Sequence, residues 1–239
     1  MSDHEVHPGD EASGLREVLF PKQGFSATEV LLLLNLAVAA ALFILWGRGY
    51  QLELRAWSEG AWHAVRSHQA YGWWVAAVFI HASPGHLARN MVALLAGAGA
   101  VEFLMGGWCA FAVYLLTGLA GAWSSFQGHG QPPLSVGASG AIFGLLGSTL
   151  TFIIRRRKVF RYAQRWKVWR VYVPLFVLLF LPALANADAH AHLGGFALGL
   201  LLGWMIPPHP RVPRLAAIDP LADDDEGSGG DGLGQEETP

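Results

Sequence analysis

Charge is scarce in this 239-residue chain. Asp, Glu, Lys and Arg make up 14% of it, against about 25% in soluble globular domains. Cysteine is nearly absent. The lone Cys109 excludes an intrachain disulfide and a cysteine-based metal site. No cleavable signal peptide is legible: residues 1–25 are polar and acidic, and the first apolar run is long enough to stay in a bilayer. What the chain has instead is 53% hydrophobic residues and ten Trp. Long apolar runs leave an integral, multi-pass membrane protein as the only comfortable class. The net charge of −2 hides a segregation: eight of 16 basic residues lie between Arg155 and Arg170, and eight of 18 acidic ones lie beyond Arg214. Nothing in it calls for a nucleic-acid partner.

Residues 1–25 read as a polar tail, 26–206 as a membrane domain and 207–239 as a disordered acidic, Gly-rich tail. Ser26 and Glu29 have capping-box spacing and open a first span, Val30 to Trp46. Its single polar residue, Asn35, reads as an internal hydrogen bond to a neighbouring helix. Residues 47–80 alternate charges (Arg48, Glu53, Arg55, Glu59, Arg66) with Trp57, Trp62, Trp73 and Trp74, as expected of an interfacial loop. Tyr71 to Ile80 is too short to span and reads as a partly immersed loop or hairpin. A second span begins near His86 and runs to Met105, interrupted by Glu102. Gly106-Gly107 makes a turn, and Trp108 to Phe126 forms the third. Val136 to Ile154 is the fourth, Val171 to Ala185 the fifth and His190 to Ile206 the sixth.

The basic loop between the fourth and fifth spans belongs in the cytoplasm. Both termini are then cytoplasmic, and spans two, four and six all run from outside to inside. His86, Asn90, Ser139 and His192 each lie within a turn or two of the start of one of these spans. They therefore share one shallow depth below the outer face, and polar groups clustered at membrane depth are a functional hypothesis by default.

Ser139 sits between glycines in Ser135-Val136-Gly137-Ala138-Ser139-Gly140. A serine is a weak nucleophile until an imidazole within hydrogen-bond reach takes its proton. Reach requires spans four and six to pack closely. Gly140, Gly144 and Gly147 line the fourth. Gly195, Gly199 and Gly203 follow His192 by three, seven and eleven positions, on its own face. Helix packing alone explains the glycines, but not a Ser and a His at the same end of one seam. The helix N-terminus at Ser139, with side-chain donors from His86 and Asn90 one turn apart, suits a developing oxyanion. His190 cannot point the same way as His192 and is assigned to the water interface. Asp188 could orient an imidazole as in a triad, but is read first as a solvated loop acid, and His81 as loop structure. No metal site and no cofactor is expected.

The motifs His81-Ala82-Ser83-Pro84-Gly85-His86-Leu87-Ala88-Arg89-Asn90, Gly137-Ala138-Ser139-Gly140 and Ala191-His192-Leu193-Gly194-Gly195 occur in an order and spacing that resemble the rhomboid family of intramembrane serine proteases. The resemblance covers residues 29–206. It implies an all-α, six-helix membrane bundle with a partly embedded first loop, and a Ser139/His192 dyad with no required acid. It also implies an oxyanion hole from the Ser139 backbone, His86 and Asn90 after Gly137, with Phe143 packed on the histidine. Substrates would be transmembrane proteins cut in or near their membrane segment, entering past the fifth helix. The family's Trp-Arg pair in the first loop has its nearest counterpart here in Trp74-Val75.

Two other readings compete: a catalytically silent relative that binds transmembrane clients, and a small transporter. The second would favour repeats and polar groups near the midplane, whereas these groups are shallow and no repeat is evident. Composition rich in Ala, Gly and Arg suggests a bacterial inner membrane. Oligomeric state, physiological substrate and the role of the acidic tail are not encoded legibly.

Overall fold

Ser26 accepts a hydrogen bond from the Glu29 N–H at 3.3 Å and caps α1, Ala27–Trp46. Twenty residues at about 1.5 Å each reach across a hydrocarbon core of about 30 Å. The buried stripe is Ala27, Leu31, Asn35 and Ala39, at four-residue spacing. Leu33, Leu34, Leu36, Ile44 and Leu45 are exposed to what surrounds the bundle, as a lipid-facing helix requires. Asn35 makes the expected internal bond, donating to Tyr114 Oη at 3.0 Å and to the Leu31 carbonyl at 2.8 Å.

The structure is a computed structural model that describes residues 26–67, 72–129, 135–156 and 188–209. The tails at 1–25 and 210–239, most of the basic loop and the predicted fifth span lie outside the described residues. Everything regular among the described residues is helical: the protein is an all-α membrane protein. Its further helices are α2, Tyr50–Arg66; α3, Gly72–Phe79; α4, Pro84–Met105; α5, Gly107–His129; α6, Ser139–Arg155; and α7, Ala189–Met205. The helix from Ala27, α4 and α5 are long and apolar enough to cross a membrane, and α6 is a shorter apolar helix.

Residues 47–80 differ from the expected loop. After a 3-10 turn at Gly47–Gly49 they form α2 and α3. The alternating Trp and charged residues fall on separate faces at helical period. Tyr50, Leu54, Ser58, Ala61, Trp62 and Val65 are buried, while Glu53, Arg55 and Glu59 are exposed. Trp57 packs edge-on to Trp73, with centroids 5.1 Å apart, and Trp62 packs on Phe126 at 5.8 Å. The eight residues of α3 are too few to span, as expected.

Pro84 begins α4 behind a Ser83 N-cap that accepts from the His86 N–H at 3.1 Å. Gly106, at φ 92°, makes the sharp joint to α5. Thr28 at the start of α1 bonds through both N–H and hydroxyl to Glu102 Oε2, at 2.9 and 2.7 Å. The polar residue interrupting the second span thus caps a neighbouring helix. At the opposite end of α6 from Ser139, Arg155 donates to the Trp204 carbonyl and Arg156 to that of Ile206. Helix α6 contacts α3, α4, α5 and α7.

Candidate active site

Gly137 leads into α6 with φ 124°, a conformation that L side chains rarely adopt. Its N–H donates to the Ala77 carbonyl of α3 at 2.9 Å. A Cβ there would also lie 2.7 Å from His86 Cε1 and 3.4 Å from Asn90 Nδ2. Only glycine lets the α4 side chains come this close to the backbone that delivers Ser139.

Ser139 is the first residue of α6, and His192 lies in the first turn of α7. Ser139 Oγ and His192 Nε2 are 3.0 Å apart. Phe143, one turn after Ser139, lies flat on the imidazole with centroids 4.2 Å apart and planes 9° apart. Stacking fixes the ring plane, and the hydrogen bond fixes which nitrogen faces the serine. In this arrangement an imidazole can accept a hydroxyl proton and later return it.

The glycines explain how two backbones come this near. A Cβ on Gly195 would overlap the Gly140 carbonyl, one on Gly199 the Gly144 carbonyl, and one on Gly203 the Ser148 carbonyl. Gly147 faces the Phe196 carbonyl, 2.6 Å from where a Cβ would stand. A Cβ on Gly144 would overlap Thr117 of α5, while the Gly144 backbone lies against Gly199 of α7. One glycine that the sequence reasoning did not single out completes the contact: at Gly121 of α5, a Cβ would meet the Ala191 carbonyl at 2.8 Å and Gly140 Cα at 3.3 Å. Gly118, Gly121 and Ala122 on the third span were the available signal.

His86 and Asn90 stand beside this pair. Asn90 is buried, and its Nδ2 has no hydrogen-bond partner among the described residues. An unpaired buried donor is costly, which sets Asn90 apart from an ordinary packed side chain. His81 is fully buried, with Nδ1 at 3.1 Å from the Phe79 carbonyl and its ring edge-on to His86 at 5.3 Å. Tyr50 and Gln51 of α2 donate to the His81 and Ala82 carbonyls, so α2 braces the turn that starts α4. A small recess lies beside Ser139, bordered by Ala77, Gly118, Ser135, Gly137 and Ala191.

His190 is exposed, as expected, with its ring against His129. Asp188 differs from the expected solvated acid. Its side chain is 13% exposed, and it caps α7 by accepting from the Ala191 N–H at 3.0 Å and from Ser125 Oγ. Burial pushes its carboxyl up, but the hydrogen bonds from Ser125 and the Ala191 N–H, with Ser135 and the His129 ring nearby, hold it below the ordinary range. No set of three His, Cys, Asp or Glu among the described residues could hold a metal ion.

A family model described as the rhomboid domain matches residues 67–209. Among curated proteins, the chain is 34% identical to Rhomboid protease GluP of Bacillus subtilis over 125 residues, covering 52% of this chain and 24% of that one. It is 32% identical to RHOMBOID-like protein 5 of Arabidopsis thaliana over 139 residues, 57% of this chain and 44% of that one. It is 29% identical to Rhomboid-type serine protease 2 of Emericella nidulans over 144 residues, 57% and 27%. The chain spans less than half the length of each of these relatives. With the matched domain covering more than half of its residues, the chain belongs to the rhomboid family.

Proposed function

We propose that this chain is an intramembrane serine endopeptidase that cleaves transmembrane proteins in or near their membrane segment. The observation that carries the reading is the 3.0 Å contact between Ser139 Oγ and His192 Nε2, in a family that includes named proteases. Ser139 Oγ attacks the scissile carbonyl as His192 takes its proton. The tetrahedral oxyanion is met by the N–H groups at the start of α6, with Asn90 and His86 as side-chain donors. His192 then protonates the leaving amine. A water activated by the same imidazole hydrolyses the acyl-enzyme and restores Ser139. Peptide bonds inside a helix are closed to attack, so substrates need local unwinding near the cut. The charge of the basic stretch between Arg155 and Arg170 supports an orientation with the dyad near the outer face and both termini in the cytoplasm, and composition supports a bacterial inner membrane.

The test is cleavage of a panel of fluorescent transmembrane substrates in proteoliposomes, comparing the unmodified protein with Ser139→Ala and His192→Ala. Both variants should lose cleavage while remaining folded. Undiminished cleavage by Ser139→Ala would remove the nucleophile assignment. No cleavage by any form, with membrane proteins co-purifying on both the unmodified chain and Ser139→Ala, would instead favour the client-binding reading.

A further inference from the structure

Two carbonyls just ahead of α4 find their donors on α2. The Leu87 N–H bonds the Ser83 carbonyl at 2.9 Å and starts the α4 ladder, so the His81 and Ala82 carbonyls lie before the helix and need partners from elsewhere. Tyr50 Oη donates to the first, and Gln51 Nε2 donates to the second at 2.6 Å. Tyr50 has little room to swing. It is buried, with its ring 4.4 Å from that of Phe43 and 5.4 Å from that of Trp46, centroid to centroid. The first turn of α2 therefore ties the end of α1 to the turn that launches α4. That turn leads straight to the site. Ser83 accepts from the His86 N–H at 3.1 Å, and the buried His81 ring stands edge-on to His86 at 5.3 Å. Val136, the residue before Gly137, packs against the same cluster of Tyr50, Leu54 and Ile80.

We infer that Tyr50 and Gln51 are positioning residues that fix where His86 and Asn90 stand against Gly137, by holding the His81–Ala82–Ser83 turn. The inference deepens the oxyanion part of the function proposed above and rests on it. A preorganised donor stabilises a developing charge only when it is already aimed at it, and a displacement of about 1 Å is enough to lose most of that effect. A helix moves as a rod, so a shift at its first residues carries His86 and Asn90, three and seven positions beyond Ser83, along with it. Neither Tyr50 nor Gln51 touches a reacting atom. Both precede residues 67–209, which match the rhomboid domain, so the brace comes from the part of this chain that lies ahead of the matched domain.

The test uses Tyr50→Phe and Gln51→Glu in proteoliposomes, each alone and combined with Asn90→Ala. Tyr50→Phe keeps the ring between Phe43 and Trp46 and loses only the hydroxyl. Gln51→Glu keeps the shape, but an ionised carboxylate only accepts. The readouts are kcat, KM, the melting temperature, and the rate at which a fluorophosphonate labels Ser139 in the folded fraction. We expect kcat and labelling to fall about tenfold in each single variant, with KM changing less than about twofold. In the Asn90→Ala background the further loss should be less than about threefold, because residues acting through one group are not additive. Should Tyr50→Phe fail to fold, Gln51→Glu, at an exposed position, decides. Rates per folded molecule within about twofold of the unmodified protein, whatever the melting temperature, would reduce both contacts to packing and overturn the inference. An undiminished loss in the Asn90→Ala background would overturn it too, since the effect would not pass through α4. Absence of labelling in the unmodified protein would instead sink the dyad reading and this inference with it, an outcome distinct from labelled protein with unaffected variants.

Discussion

Gly121→Ala is the most searching perturbation of the packing that brings the two helices together. The new methyl would stand 2.8 Å from the Ala191 carbonyl oxygen and 3.3 Å from Gly140 Cα. Ordinary C···O contacts lie at about 3.3–3.6 Å, so the carbonyl must retreat by roughly 0.5–0.8 Å. Both neighbours are backbone, and neither can rotate away. Ala191 adjoins His192 and Gly140 adjoins Ser139, so the displacement falls directly on the 3.0 Å dyad contact. Overpacking of this kind costs about 1–3 kcal/mol, and a shift approaching 1 Å at a reacting pair costs up to about 100-fold in rate. We therefore expect a lower melting temperature and a kcat reduced about 10- to 100-fold, measured by cleavage in proteoliposomes and corrected for folded fraction. Gly60→Ala is the control. Gly60 lies exposed in α2 with nothing within 4 Å of a built Cβ, so Ala should stabilise by about 0.5–1 kcal/mol and leave kcat unchanged. Full activity and an unchanged melting temperature in Gly121→Ala would show that α5 does not set the spacing of α6 and α7.

Asn90→Ala removes a buried donor with no partner among the described residues. If it serves the oxyanion, kcat should fall about 10²–10³-fold with little change in melting temperature, read from initial rates and thermal unfolding. A large stability loss with a normal rate per folded molecule would make it structural. Glu102→Ala leaves the Thr28 N–H and hydroxyl without their acceptor. The expected loss is about 1–3 kcal/mol in detergent unfolding, with cleavage by the folded fraction retained.

Local patterns already carried much of the fold. Ser26 and Glu29 announced the start of α1, and the four-residue spacing of Gly195, Gly199 and Gly203 announced a close seam. Helix α2 was hidden because its Trp and charged residues alternate like an interfacial loop when read linearly. They separate only when wound at 3.6 residues per turn. Asp188 was misassigned for a related reason. Its partners Ser125 and Ala191 come from two helices, and nothing near it in sequence reveals Ser125.

By itself, the sequence determined which stretches seek the bilayer and which face of each helix is small. These follow from composition and helical period. Only the tertiary structure decided how the helices are rotated and spaced against one another. That arrangement puts Ser139 Oγ 3.0 Å from His192 Nε2, lays Phe143 on the ring and brings His86 and Asn90 against Gly137. The reason is physical. Helical period is a property of one helix, whereas azimuth and separation are settled by contacts and hydrogen bonds between residues far apart in the chain.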